Sequence, residues 1–415
     1  MPDLLLRNAA VLDTVAGTLL PGREVLVRGK TILSVDDGPT GHGHRADDGV
    51  EVIDLGGRTV MPGLIDCHVH MAPGATLVQP MLMPSFVTAR ASSWLVQMLL
   101  RGFTTVRDAG GADAGLRQAI EAGHFRGPRL FVSGRAISQT GGHGDKRWPA
   151  EMDIACCCSA TTAGIGRVAD GVDEVRRAVR DELRRGANQI KVMAGGGVSS
   201  PTDSISHLQY SLEELRAMAD EAERQHTYCL AHVYTSPGIR RAVECGIRTI
   251  EHGNFLDEDT AAVMARYRAY LVPTLVTYRA DAENGAAVGF TEAALLKNAE
   301  VLEAGTRSLE IAARAGVKIA YGTDLAFSPK TNQPREFLVR AEVQTPADII
   351  RSATVVGAEV VGLAGRAGVV APGAFADLLV LDGNPLEDLG LFQDEGRHMP
   401  LIVKEGTIVK NKLNA

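Results

Sequence analysis

Between residues 64 and 321 short β-like runs alternate with helical patterns, and this alternation constrains the fold more than any other feature. The candidate strands are 64–68, 104–107, 129–133, 189–193, 228–232, 249–252, 270–274 and 318–321. Helical patterns lie between them at 95–101, 114–122, 172–185, 212–225, 237–245, 257–268 and 291–315. Ser211, with Glu214 three residues on, has the form of a capping box. Gly186, Gly246 and Gly316 each follow a helical pattern and suit a left-handed C-cap. Eight β-α units in one run favour an α/β fold of the (β/α)8 TIM-barrel type over a doubly wound sheet.

The two ends differ in texture from this middle. Short β-like runs at 3–12, 24–27, 31–35, 50–55 and 59–60 are separated by turn signals such as Pro21-Gly22 and Gly56-Gly57. The polar stretch 36–48 is expected to be a solvated hairpin tip. Strand-like runs return at 376–381, 401–403 and 407–410. Chain termini often lie close together, so both ends are expected to build one small β-sandwich domain. The expected boundaries are 1–60 and 366–415 for the sandwich and 61–365 for the barrel.

Composition narrows the class. The chain has 415 residues, 45% hydrophobic and 22% charged, an ordinary globular balance with room for a large core. A net charge of −7 argues against non-specific nucleic-acid binding, which needs a basic face. No stretch approaches the roughly 18 apolar residues of a membrane span. Asp3 and the lack of a positive N-terminal region argue against a signal peptide, although a trimmed chain would look the same. Of six cysteines, Cys156, Cys157 and Cys158 are consecutive, which is no disulfide framework; a cytoplasmic protein is expected. That run is read as small loop or buried thiols, since no His or second Cys pair stands at zinc-ligand spacing.

Catalytic groups of such a barrel sit at the C-terminal ends of its strands. The first strand ends in His68-Val69-His70, with both imidazoles on one side. The fourth carries Lys191 inside an apolar run, where an ammonium costs several kcal/mol (about) unless paired or neutralised. The fifth ends in His232, the sixth in His252 and the eighth in Asp324. Each feature alone is weak: a His-x-His pair is often two ordinary polar residues. Together they put four imidazoles, a lysine and a carboxylate at one rim, a set suited to zinc or a similar divalent ion. A lysine ammonium cannot ligate, but its CO2 adduct, a carbamate, is an anionic oxygen ligand able to bridge two metals. Two metals would polarise a carbonyl and supply hydroxide near neutral pH.

His68-Val69-His70 after Pro62-Gly63-Leu64-Ile65-Asp66, with Lys191, His232, His252 and Asp324, closely resembles the metal-dependent amidohydrolase superfamily. The likeness spans nearly the whole chain. It is closer still to the zinc peptidases once described as Xaa-Pro dipeptidases, a carboxypeptidase-like group that includes ochratoxin-hydrolysing enzymes. The motifs that carry it are Gly141-Gly142-His143-Gly144-Asp145, the run from Lys191 to Gly197, and Ala231-His232-Val233-Tyr234. The resemblance implies two divalent metals, zinc foremost. His68 and His70 would hold the more buried ion, His232 and His252 the more exposed one, and carboxylated Lys191 would bridge them. Asp324 would ligate the buried metal and act as general base on a bridging hydroxide, then pass the proton to the leaving amine. His143 is read as polarising the scissile carbonyl or binding the oxyanion rather than as a solvent-exposed loop residue, and Tyr234 as a donor to the substrate carboxylate or oxyanion, or a rim aromatic that only packs.

The implied substrate is a small molecule with a free carboxylate, an N-acyl or aminoacyl amino acid, and ochratoxin A would yield ochratoxin alpha and phenylalanine. Arg279, Arg335 and Arg340 are candidate cations for that carboxylate. His207 is either a substrate contact or a surface residue. Asp108 is expected to support a loop, and the 138–166 segment is a candidate lid. His42, His44, His124, His226 and His398 are assigned to structure or solvent. A homo-oligomer is expected. The alternatives are a cyclic-amide or imidazolone hydrolase, a lactonase or a deaminase on the same scaffold, and a non-catalytic scaffold protein. Lys191 counts against a deaminase, and the complete ligand set counts against a scaffold.

Overall fold

Leu4, Leu6, Ala9 and Val11 of β1 (Asp3–Asp13) pack in one buried cluster with Val25 and Val27 of β2 (Thr18–Arg28) and Ile32 of β3 (Thr31–Asp37). The period of two breaks between Leu6 and Ala9, where the register slips and Asn8 takes a φ of +53°. The extra residue returns Ala9 and Val11 to the face of Leu4 and Leu6. β4 (Val50–Asp54) and β5 (Thr59–Pro62) both run parallel to β1, at successive stretches of it. The stretch expected as a hairpin tip, 36–48, lies mostly outside the described residues. β3 pairs with β2 and β4 pairs with β1, so the intervening chain joins strands that are not partners.

The computed structural model describes residues 3–38, 49–72, 82–145, 147, 165–200, 203–326 and 330–413. Cys156, Cys157, Cys158, His42, His44 and most of the candidate lid lie outside the described residues.

Each of the eight expected central strands has a counterpart. β6 (Leu64–Val69), β7 (Phe103–Asp108) and β8 (Arg129–Phe131) form one three-stranded sheet. β9 (Ala136–Ser138), β10 (Gly166–Val168), β11 (Ile190–Met193), β12 (Cys229–Thr235), β13 (Thr249–Phe255), β14 (Tyr270–Val272) and β15 (Lys318–Ile319) form a parallel sheet in the order β10-β9-β11-β12-β13-β14-β15. The third expected strand is thus split: β8 lies beside β7 and β9 beside β11, with Gly134 at φ +66° in the break. Backbone bonds link the two sheets at both seams. The Cys67 N–H donates to the Tyr321 carbonyl at 2.8 Å, and the Asn188 N–H to the Val132 carbonyl at 2.7 Å.

The helices are α1 (Pro84–Leu100), α2 (Ala114–Glu121), α3 (Gly171–Arg184), α4 (Leu212–Arg224), α5 (Ser236–Glu244), α6 (Glu258–Arg266), α7 (Leu275–Asn284) and α8 (Glu292–Arg314), followed by shorter ones. The Ser211–Glu214 capping box is formed. Gly186, Gly246 and Gly316 take φ of +95°, +96° and +74° just past helix ends. α7 was not expected from the sequence.

β16 (Leu378–Leu381), β17 (Leu401–Lys404) and β18 (Thr407–Asn411) complete the terminal sheet, with β16 antiparallel to β5. Its order is β18-β17-β16-β5-β1-β2-β3, with β4 as the eighth strand paired to β1, so both chain ends build one eight-stranded sheet. The chain divides into two compact units, 1–66 with 96–105 and 344–415, and 67–95 with 106–343. All the site residues described below lie in the second. Among the described residues no helix is long and apolar enough to cross a membrane.

Candidate active site

The C-terminal ends of the central strands converge on one cavity of about 750 Å³, counted with its open mouth. Five imidazoles line it, those of His68, His70, His143, His232 and His252, together with Lys191, Tyr234 and Asp324. The six candidate ligands and the two candidate substrate-binding groups are therefore brought together.

Three of the rings, those of His68, His70 and His252, are oriented by their far nitrogens. His68 Nδ1 lies 2.7 Å from Glu251 Oε2, His70 Nδ1 2.7 Å from the Gly110 carbonyl, and His252 Nδ1 2.8 Å from Thr274 Oγ1 and 2.9 Å from the Tyr278 hydroxyl. Their Nε2 atoms then face Asp324, at 3.4 Å and 3.1 Å from Oδ1 for His68 and His70 and 3.9 Å from Oδ2 for His252. His70 donates its Nδ1 proton to the carbonyl, which turns its Nε2 toward the carboxylate at 3.1 Å, a pair of donor atoms that a shared cation would bridge. Ligand atoms of His68, His70 and Asp324 all lie within 4.8 Å of one another. This donor set, oriented by outer carboxylate and carbonyl partners, fits a divalent metal.

Electrostatics agree. Burial holds His232 and His252 well below the ordinary histidine range, so both are neutral and able to ligate. Burial and Lys191 pull His68 down, but Asp324 and Glu251 outweigh them and raise it. Burial would raise Asp324, yet His68 and His70 overcome it and keep the carboxyl ionised. Lys191 is 1% exposed, and burial brings its amine down to about 8.

His143 stacks on His232, with ring centroids 4.2 Å apart and planes 8° from parallel. Its backbone N–H donates to Gln209 Oε1 at 3.0 Å, and its Nδ1 lies 3.5 Å from Asp203. Gly197 faces the ring so closely that a Cβ there would overlap it. Tyr234 is 3% exposed, its hydroxyl 3.4 Å from that of Tyr278. Burial raises its pKa, so it stays a neutral donor. Three residues around the site, His252, Thr274 and Asp324, take φ of +77°, +50° and +50°. Left-handed backbone at non-glycine positions costs about 1–3 kcal/mol each and marks a site held by its surroundings.

The residues matched to the amidohydrolase family run from 59 to 409. The chain belongs to the amidohydrolase family. It is a hydrolase acting on amide bonds. The ochratoxinase of Aspergillus niger is 33% identical over 406 residues, covering 93% of this chain and 84% of that protein. A prolidase solved with N-methylphosphonate-L-proline is 49% identical at a TM-score of 0.94, covering 99% of this chain and all of that one. A Xaa-Pro dipeptidase with methionine bound in its active site is 28% identical at a TM-score of 0.88, with 99% and 100% covered. The resemblance drawn from the sequence is thereby shown.

The arginines proposed for a substrate carboxylate are elsewhere. Arg279 pairs with Glu342, Arg335 with Glu283, and Arg340 is fully buried beside the Ala320 carbonyl; none lines the cavity. His207 is exposed and is not among the lining residues either. Asp108 does support a loop, accepting backbone N–H groups of Met71, Gly110 and Ala112. Sequence reasoning missed Glu251 and Arg107. Arg107 donates to both Glu251 oxygens at 2.9 and 3.0 Å, with both side chains fully buried. Burial would raise Glu251, but Arg107 and His68 hold it far below the usual carboxylate range. Arg107 follows Thr104, Thr105 and Val106 and precedes Asp108, so unlike Lys191 it has no apolar run around it to single it out in the sequence. Tyr278, Thr274 and Asp281, on or beside the unexpected α7, were also missed.

Proposed function

We propose that this hydrolase cleaves the amide bond of N-acyl or aminoacyl amino acids and releases the C-terminal amino acid. Amide-linked conjugates such as ochratoxin A are included, giving ochratoxin alpha and phenylalanine. The observation that carries this reading is the convergence of five imidazoles, Lys191 and Asp324 on one cavity, in a chain similar over nearly its whole length to an ochratoxinase and a prolidase. The reading includes a closed (β/α)8 barrel over 61–365, supported by the backbone bonds at both seams. It also includes a terminal β-sandwich over 1–60 and 366–415, supported by the buried cluster that strands from both chain ends share.

In this reading His68, His70 and Asp324 would hold one divalent ion and His232 and His252 a second, and Lys191, once carboxylated, would supply them an anionic oxygen donor. The neutral amine adds to CO2 and loses a proton to solvent. Zinc in such a site supplies a Lewis acid and makes a nearby water more acidic. Asp324 accepts a proton from the attacking water and delivers it to the amide nitrogen as the C–N bond breaks. His143, held by Gln209 and stacked on His232, donates to the oxygen that becomes negative. The Tyr234 hydroxyl donates to the substrate carboxylate or to that oxygen.

Metal-loaded protein, with a chelated control, is to be given N-acyl amino acids, Xaa-Pro and other dipeptides, ochratoxin A and lactones. Chelator-sensitive release of a C-terminal amino acid is expected. Lactone opening without amide cleavage overturns the reading. A cytoplasmic homo-oligomer remains part of it, and sedimentation velocity tests the assembly.

A further inference from the structure

We propose that Tyr278 is a positioning residue: its hydroxyl donates to the Tyr234 hydroxyl and so turns the Tyr234 proton toward the substrate. The inference rests on the amide-hydrolase reading above and adds a residue that its mechanism does not use. Tyr278 stands on α7, four residues after Thr274, so the two side chains share one helix face. Its backbone carbonyl accepts from the buried Asn298 amide of α8 at 2.8 Å, which fixes the helix at this turn. Its own hydroxyl, also buried, reaches three polar atoms: His252 Nδ1 at 2.9 Å, the Tyr234 hydroxyl at 3.4 Å and Thr274 Oγ1 at 3.5 Å.

Counting protons gives this cluster a direction. The Nε2 of His252 faces the metal set, so the ring proton is on Nδ1, between Thr274 Oγ1 at 2.8 Å and the Tyr278 oxygen. The Tyr278 proton cannot point back at that nitrogen. Thr274 Oγ1, accepting from Nδ1, has the Tyr278 oxygen as its other side-chain partner among the described residues, so its own proton goes there. Burial keeps both phenols protonated. The Tyr278 proton is then directed to the Tyr234 oxygen, and the Tyr234 proton is turned away from Tyr278 into the cavity that both rings line. At 3.4 Å the link is long for two hydroxyls, so it sets a direction rather than holding the ring. Packing holds the ring: Tyr234 stacks on His252, with centroids 5.1 Å apart and planes 23° from parallel. A hydroxyl whose proton is preset toward a substrate oxygen needs no reorientation during the reaction.

Tyr278→Phe, Tyr234→Phe and the double variant, loaded with zinc, test this. Thr274 still serves His252 in Tyr278→Phe, so zinc content should equal that of wild type. Tyr278→Phe should lower kcat/KM about three- to tenfold for the best-cleaved member of the amide panel, the worth of one ordinary hydrogen bond. In the Tyr234→Phe background the same change should cost less than about twofold, because no proton is left to direct. A loss carried by KM assigns the Tyr234 proton to the substrate carboxylate, and a loss carried by kcat assigns it to the oxyanion. Wild-type kinetics in Tyr278→Phe, an equal loss in both backgrounds, or loss of zinc overturns the proposal. A second readout needs no turnover. With carbon-13 at Cζ of the seven tyrosines, NMR of Tyr278→Phe should lack one signal and show the Tyr234 signal shifted. An unmoved Tyr234 signal overturns the proposal. Should Tyr278→Phe not fold, Tyr234→Phe must shift the Tyr278 signal in the same experiment, or the link does not exist. If wild-type protein cleaves none of the panel, the amide-hydrolase reading fails, and the spectra still decide the hydroxyl pair.

Discussion

Lys191 shows how one buried group can be both a structural cost and a chemical opportunity. An ordinary lysine near pH 7 carries a neutral amine in only about one molecule in several thousand. With burial bringing Lys191 to about 8, that fraction is about one in ten, and only the neutral amine adds to CO2. Recovery of metal-stripped protein by zinc, at a fixed concentration of dissolved CO2, should therefore quicken from pH 7 to about 8 and level off above. A rate that keeps climbing tenfold per unit to pH 10 would mean an unshifted lysine. Lys191→Ala should lose both bound metal and nearly all turnover. Asp324→Asn keeps size and fold but cannot take a proton, and should lower kcat by about 10²–10⁴-fold. Full metal content with wild-type turnover in either variant contradicts the assigned roles. Glu251→Gln tests the support beneath His68. It leaves Arg107 charged, fully buried and without its anion, so urea denaturation should report about 3–5 kcal/mol of lost stability.

At the scale of elements, what was legible follows from which signals were local. The eight strands were legible because each is a short apolar run between turn residues, and the ligands because each is polar where an apolar residue would serve the core. The Ser211 cap and the glycines at 186, 246 and 316 were legible because their chemistry depends on the adjacent backbone alone. α7 was not. It begins directly after β14 through Thr274, a β-branched residue at φ +50° where sequence gives no Gly or Asn. Six of its residues, from Leu275 to Asp281, are buried, so no polar stripe marks a helical period. Missing α7 meant missing Tyr278 and Asp281, which only the helix brings to the cavity. Similarly, β4 pairs with a strand more than forty residues earlier in the chain, which no local pattern encodes. The loop from Gly195 to Gly197 offers a test of element-level design. A Cβ at Gly197 would overlap the His143 imidazole, whose ring atoms are its three nearest neighbours. Gly197→Ala should keep metal content and cut turnover more than tenfold, by displacing His143; unchanged turnover would remove His143 from the mechanism.

For the whole molecule, the path of the chain matters as much as the site. β6 and β7 each begin in the first compact unit and end in the second, and the chain passes between the units at 66–67, 95–96, 105–106 and 343–344. Unfolding one unit therefore removes residues that two strands of the other depend on. The candidate ligands come from both ends of the second unit's sequence, His68 and His70 at one end and Asp324 at the other, with Lys191, His232 and His252 between. A metal held by them ties together segments more than two hundred and fifty residues apart and binds only the folded state. At a free concentration a thousandfold above its dissociation constant such an ion adds about 4 kcal/mol. With about 2 cal/mol/K of unfolding entropy per residue, that corresponds to about 5 °C in Tm for a chain of this length. Calorimetry should accordingly give one unfolding transition that moves down by about that amount on chelation and returns with zinc and bicarbonate. Two transitions, only one of them sensitive to chelator, would mean that the shared strands do not couple the units.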